Sequence, residues 1–74
     1  GPIDAFVNAL NQKLSIDIKI SDYHQSAISS GSDAQAAAYI EIQKGSKTSW
    51  GVGINPNTIK ASFEAIIVGV AKLI

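Results

Sequence analysis

Gly31-Ser32-Asp33-Ala34-Gln35-Ala36-Ala37-Ala38-Tyr39-Ile40-Glu41-Ile42 decides the fold. Alanine propensity favours a helix here. The pattern says otherwise. Ala34, Ala36, Ala38, Ile40 and Ile42 fall on one side of an extended chain, and Gln35, Ala37, Tyr39, Glu41 and Gln43 on the other. Ser29-Ser30-Gly31-Ser32-Asp33 ahead of the run is a turn by composition, and Lys44-Gly45-Ser46 behind it makes a hairpin turn. The run is therefore predicted as a strand over 34–43. Its small alanines suit the close approach of a helix or of a partner backbone.

Working outward, Ile16, Ile18 and Ile20 alternate with Asp17, Lys19 and Ser21, which predicts a strand over 15–28, irregular through Tyr23 and His24. On the other side lies a strand over 47–54. Thr48, Trp50, Val52 and Ile54 are expected to form its buried row, with Ser49, Gly51 and Gly53 on the reverse. Two glycines inside a strand bring no side-chain packing. They signal either a bulge or tight helix packing, or a bare backbone wall beside a small ligand or another subunit.

Ile3, Phe6, Val7, Leu10 and Leu14 recur at helical spacing, predicting a helix over 2–14 with Asp4 in its first turn. A closing helix over 56–73 carries Ile59, Phe63, Ile66, Ile67, Val70 and Ile74. Asn55 caps it with Pro56 leading, or Asn57 caps the turn after, and Lys60 pairs with Glu64. The order is α-β-β-β-α. Three antiparallel strands under two helices make a two-layer α+β sandwich. The uncovered sheet face, with Asp17, Lys19, Tyr39, Glu41 and Ser49, is expected to be wet. The sheet edges show few protections, so sheet extension across a dimer fits.

Composition narrows the function. A chain of 74 residues makes one small domain. It has no cysteine and a single histidine, His24, which argues against disulfides and against thiolate or histidine metal centres. Only 16% of residues are charged, against roughly 25–35% on a surface meant to stay solitary. The net charge is zero and the lysines are scattered, so nothing draws nucleic acid or anionic lipid. No secretion signal is visible at Gly1-Pro2-Ile3-Asp4, and the apolar stretch from Ala65 to Ile74 is too short to span a bilayer. The missing initiator Met suggests a piece of a longer protein or a processed chain.

Catalytic constellations are hard to assemble. Ser26, His24 and Asp33 permit an imagined triad, but nothing marks a nucleophile elbow. Gly51-Val52-Gly53 fits no phosphate-loop signature. A small-molecule or protein-binding module remains. Backbone N–H groups at Asn55 to Thr58 suit a carboxylate. Hydroxyls and the acid of Ser30 to Asp33 suit an ammonium, although the Asp33 carboxylate is expected first to cap its own turn. An apolar space between them would take an aliphatic side chain, and an amino acid has all three features.

Three segments together resemble a known family: Asp22-Tyr23-His24-x-x-Ala27-Ile28-x-x-Gly31-Ser32-Asp33-Ala34-Gln35-Ala36, then Trp50-Gly51-Val52-Gly53-Ile54-Asn55, then Ala61-Ser62-Phe63-x-Ala65. The opening Gly1-Pro2-Ile3-Asp4-Ala5 adds to them. The family is the C-terminal regulatory domain of 2-isopropylmalate synthase and its relative citramalate synthase. The resemblance implies that the chain is a partial regulatory domain, one helix of a first unit followed by a whole strand-strand-strand-helix unit. It implies no catalytic residues and no cofactor in this chain, with catalysis on a separate TIM barrel that binds a divalent metal and uses acetyl-CoA. It further implies a homodimer, leucine or isoleucine as effector, no nucleic acid or membrane partner, and a location in the cytoplasm or an organelle matrix. Carried onto this sequence, the effector contacts fall on Gly31, Ser32, Asp33 and Ala34 and on Gly53, Ile54, Asn55 and Pro56, with Tyr23 and His24 as second choices. A purely structural dimerisation module is the alternative from another class.

Overall fold

The structure, a computed structural model, describes residues 1–29 and 31–74. The elements are α1 (Pro2–Leu14), β1 (Ile18–Ala27), a single 3₁₀ turn at Gly31–Asp33, β2 (Ala36–Lys44), β3 (Lys47–Asn55) and α2 (Thr58–Ala71). The sheet is antiparallel in the order β1-β2-β3, and both helices lie on one side of it. The two-layer α+β sandwich expected from the sequence is the fold observed.

The alternation through Ala36–Lys44 makes β2 the central strand. Ala38, Ile40 and Ile42 are fully buried against α2. The hairpin to β3 closes at the pair Lys44–Lys47, with Gly45 at φ 62°, the left-handed first position that a two-residue turn with leading glycine uses. β1 begins later than the isoleucine alternation suggests. Ser15 instead ends α1 in the left-handed region (φ 53°, ψ 48°), and Ile16 and Asp17 bridge to the strand. Asn11 holds this junction. Its carboxamide donates to the Ile18 carbonyl (3.0 Å) and accepts from the Ile18 N–H (2.8 Å), acting as a one-residue substitute for a neighbouring strand. A bulge at Ser21, between Ile20 and Asp22, then shifts the register of β1 on β2.

The facing of β3 is the reverse of the expectation. Gly51 and Gly53 are buried beneath α2, whereas Trp50 (40% exposed), Val52 (44%) and Ile54 (50%) lie on the open side of the sheet. The reason is the close approach of the helix backbone. A methyl group on Gly51 would overlap the Ala65 carbonyl oxygen, and one on Gly53 would overlap that of Ala61. α2 presents Ala61, Ala65 and Gly69 at four-residue steps to this row, so small residues line both sides of the contact. The two glycines therefore serve tight helix packing. The bulky residues between them must face the other way, and the open face is apolar at its centre rather than wet.

Other corrections are local. Asn57, not Asn55, caps α2, accepting the N–H groups of Ile59 (2.9 Å) and Lys60 (3.1 Å). The helix accordingly starts at Thr58 rather than 56, and ends at Ala71 rather than 73. Glu64 does not pair with Lys60 but accepts from the Asn55 carboxamide (3.0 Å). The sheet edges are also better guarded than expected. Asn11 occupies the backbone of Ile18 on β1, and the Lys72 ammonium donates to the Trp50 carbonyl of β3 (2.7 Å). α1 runs beside α2, with Phe6 stacked on Phe63 at 4.3 Å between ring centroids, yet Val7 is its one buried residue.

Candidate functional site

Strand register brings the two predicted effector segments to one end of the molecule. Ala36 pairs with both Ala27 and Asn55, so the β1–β2 loop and the β3–α2 junction are neighbours. In the loop, Gly31 adopts φ 84°, which favours glycine, and the Ala34 N–H donates to the Gly31 carbonyl (3.2 Å). Ser29 fastens the turn, donating to the Asp33 carbonyl (2.8 Å) and accepting from the Gln35 N–H (3.1 Å). This is a closure the sequence reading had allotted to the Asp33 carboxylate. Ser32, Asp33 and Ala34 are exposed. Ser30, expected to contribute a hydroxyl, lies outside the described residues.

Across from the loop, Gly53 is turned under α2, Ile54 projects onto the open face, and Asn55 and Pro56 lead into the cap. Asn55 accepts from the Asn57 N–H (2.9 Å) while its amide nitrogen reaches Glu64. With Ile59 and Lys60 held by Asn57, three of the backbone donors around the start of α2 are already engaged. The expectation of free N–H groups for a carboxylate is corrected to that extent.

Tyr23 and His24 occupy opposite faces. The Tyr23 hydroxyl hydrogen-bonds the buried Ser62 hydroxyl (2.8 Å), and Ser62 donates to the Thr58 carbonyl (3.1 Å). β1 is thereby tied to the first turn of α2. His24 lies on the open face, with its Nε2 3.3 Å from an Asp22 carboxylate oxygen and its ring stacked on Trp50 at 6.1 Å between centroids. Its acidic neighbour is thus Asp22, not Asp33, and the imagined triad with Ser26 does not assemble. Among the described residues, no group of three His, Cys, Asp or Glu side chains is placed to hold a metal ion, and no helix is long and apolar enough to cross a membrane.

The feature that sequence reasoning missed is the open face itself. Tyr39, Trp50, Val52 and Ile54 form a continuous apolar stripe with His24 at its side and Ala37, 1% exposed, beneath it. The signal was available. Glycines alternating with bulky residues in β3, matched by small residues at four-residue steps in α2, identify which face the helix takes.

The chain is matched over residues 1–74 by the family described as the LeuA allosteric (dimerisation) domain. The chain belongs to this family. It is similar to the 2-isopropylmalate synthases of Parafrankia sp. (strain EAN1pec), at 47% identity over 97% of the chain, and of Mycobacterium ulcerans (strain Agy99), at 46% over 97%. The corresponding protein of Rhizobium meliloti (strain 1021) is 45% identical over 90% of it. The chain spans only 12–13% of the length of these relatives. As a LeuA allosteric (dimerisation) domain, it has a non-catalytic, regulatory and dimerisation role. An uncovered apolar sheet face is a feature of the kind that marks interaction surfaces.

Proposed function

We propose that this chain is the self-associating regulatory part of a 2-isopropylmalate synthase. On this reading, two copies meet through the open sheet face, and leucine is sensed at the end where the β1–β2 loop meets the β3–α2 junction. The parent enzyme condenses acetyl-CoA with 3-methyl-2-oxobutanoate in leucine biosynthesis, on a metal-dependent TIM barrel outside these residues and in the cytoplasm. The observation that carries the reading is the uncovered apolar stripe of Tyr39, Trp50, Val52 and Ile54, in a chain of this family.

The effector contacts proposed are the exposed Ser32, Asp33 and Ala34 with Gly31, and Ile54, Asn55 and Pro56 opposite, Gly53 contributing only through its backbone. Tyr23 and His24 border this region from the two sides of the sheet. An effector works here only by binding one arrangement of the dimer more tightly than another. The engaged donors at Asn57, Ile59 and Lys60 favour a second reading, a dimerisation module with no ligand.

Titration with leucine, isoleucine and valine, followed by heteronuclear NMR after sizing by light scattering, separates the readings. Leucine-selective shifts at Gly31–Ala34 and Ile54–Asn57 support the first. An isoleucine preference moves the assignment to a citramalate synthase. A folded dimer without shifts leaves the structural module.

A further inference from the structure

We propose that α1 exchanges between two copies of this chain, each helix leaving its own sheet and taking the identical seat on the other copy. This goes beyond the open-face association proposed above and does not depend on it. The starting point is a conflict at the α1–β1 junction. Ile16, Ile18 and Ile20 alternate as one strand would, yet β1 begins only at Ile18. The chain is instead turned by Ser15, at φ 53° and ψ 48°. Among the described residues, Ser15 is the one non-glycine residue with positive φ. Glycine commonly takes this position after a helix, and an L side chain there is strained. The sequence specifies a straight segment, and the fold holds it bent.

What holds it is slight. Val7 is the one buried residue of α1. The helix rests on α2 through the Phe6–Phe63 stack and on β1 through the two hydrogen bonds between Asn11 and Ile18. Open grooves run along it, one against β1 lined by Asp4, Asn8 and Asp17, the other against α2 lined by Leu10, Leu14 and Ile67. The hinge has room to straighten. Ser15 and Asp17 are exposed, and with Ile16, Lys44 and Gly45 they border an open groove beside the hairpin.

A short hinge under strain invites the exchange of an identical element between copies. Opening alone leaves Val7, Ile18 and the Phe63 ring without their neighbours. The seat that α1 vacates in a second copy restores all three. The exchanged interface needs no new complementarity, because the ring stack, the Val7 contacts and the Asn11 hydrogen bonds are those already made within one chain. The gain lies at the hinges. Both Ser15 residues leave the left-handed region, and residues 15–17 take the extended form that the isoleucine alternation specifies. The cost is bringing two chains together, so exchange grows with concentration.

The test is sedimentation equilibrium of the 74-residue chain beside Ser15→Gly and Ser15→Val, which change an exposed side chain. Glycine removes the strain of the bent form and valine increases it. The dimer dissociation constant is expected to rise about tenfold or more in Ser15→Gly and to fall by a similar factor in Ser15→Val. Labelled and unlabelled chains are then refolded together, and isotope-filtered NMR of the dimer should show Phe6 of one copy against Phe63 of the other. Equal dissociation constants in the three chains, a reversed order, a chain monomeric in every variant, or a dimer without that contact between copies would overturn the proposal. Should Ser15→Val not fold, the Ser15→Gly shift and the filtered spectrum of the parent decide alone. The association reading fails separately. A dimer that Trp50→Ala weakens but the Ser15 variants leave unchanged keeps that reading and removes this one, and the opposite pattern does the reverse.

Discussion

Replacing Gly51 by alanine is the sharpest test of how the two layers fit. Outside this context the change is mild: alanine in place of glycine at a compatible backbone position stabilises by about 0.4–1 kcal/mol, because the unfolded chain has fewer states to lose. Here the new methyl would overlap the Ala65 carbonyl oxygen and press on the Gly69 N–H, both backbone groups that no rotamer change can move aside. α2 would have to lift from β3, opening contacts along Ala61, Ala65 and Gly69. Overpacking of a well-filled core costs about 1–3 kcal/mol, and a clash with backbone belongs at the upper end. A domain of this size has roughly 4–11 kcal/mol of stability in total, so a loss of about 3 kcal/mol lowers Tm by roughly 12–24 °C. Urea unfolding followed by far-UV circular dichroism measures this directly. Ser46→Ala, at an exposed position of the hairpin turn away from α2, serves as the control. If Gly51→Ala proves as stable as the parent, the close contact between β3 and α2 is wrong, and with it the orientation of Trp50 and Val52.

Two further substitutions test the junctions. Asn57→Ala removes the acceptor for the Ile59 and Lys60 N–H groups and should cost about 1 kcal/mol in urea unfolding, the usual worth of a helix cap. Asn11→Ala frees both backbone groups of Ile18 and should cost about 1–3 kcal/mol. Hydrogen exchange should then rise in α1 and at Ile18 while Ile40 and Ile42 stay protected, because α1 has a single buried residue and opens before the β2–α2 core.

Much of this fold was legible because local and long-range signals agreed. The alternation from Ala36 to Ile42, the glycine at the hairpin and the helical spacing of Ile59, Phe63, Ile66 and Val70 all specify elements without reference to partners. What was not legible depends on which neighbour comes closest. A period of two separates two faces but does not say which is inside. Assigning the larger side chains to the core is the usual choice, and it fails in β3 because the helix there needs room for its own backbone rather than side chains to pack on. The cap was ambiguous for a related reason. Asn55 and Asn57 are equally good by type, and in the structure the Asn55 side-chain oxygen accepts from the Asn57 N–H while Asn57 holds the first turn. The β1–β2 loop and the β3–α2 junction fall at one end because Ala36 pairs with both Ala27 and Asn55. The donors they were expected to offer were not foreseen as mutually satisfied.

The same two glycines that let α2 settle on β3 also create the apolar open face. In an alternating strand, small residues on one side leave the bulk of the strand to the other, so Trp50, Val52 and Ile54 are exposed by the packing that stabilises the monomer. They cannot be drawn inward without a shift of register, which would place Trp50 where the Ala65 carbonyl now lies. Core and open face are therefore two consequences of one sequence pattern. Their energetics are nevertheless separable: substitutions at Gly51 or Gly53 act on the contact between β3 and α2, whereas Trp50 and Val52 lie on the side of the sheet away from the helices. On the proposed reading a regulatory domain gains from that division, because side chains on the open face can change at little cost to the fold that presents them.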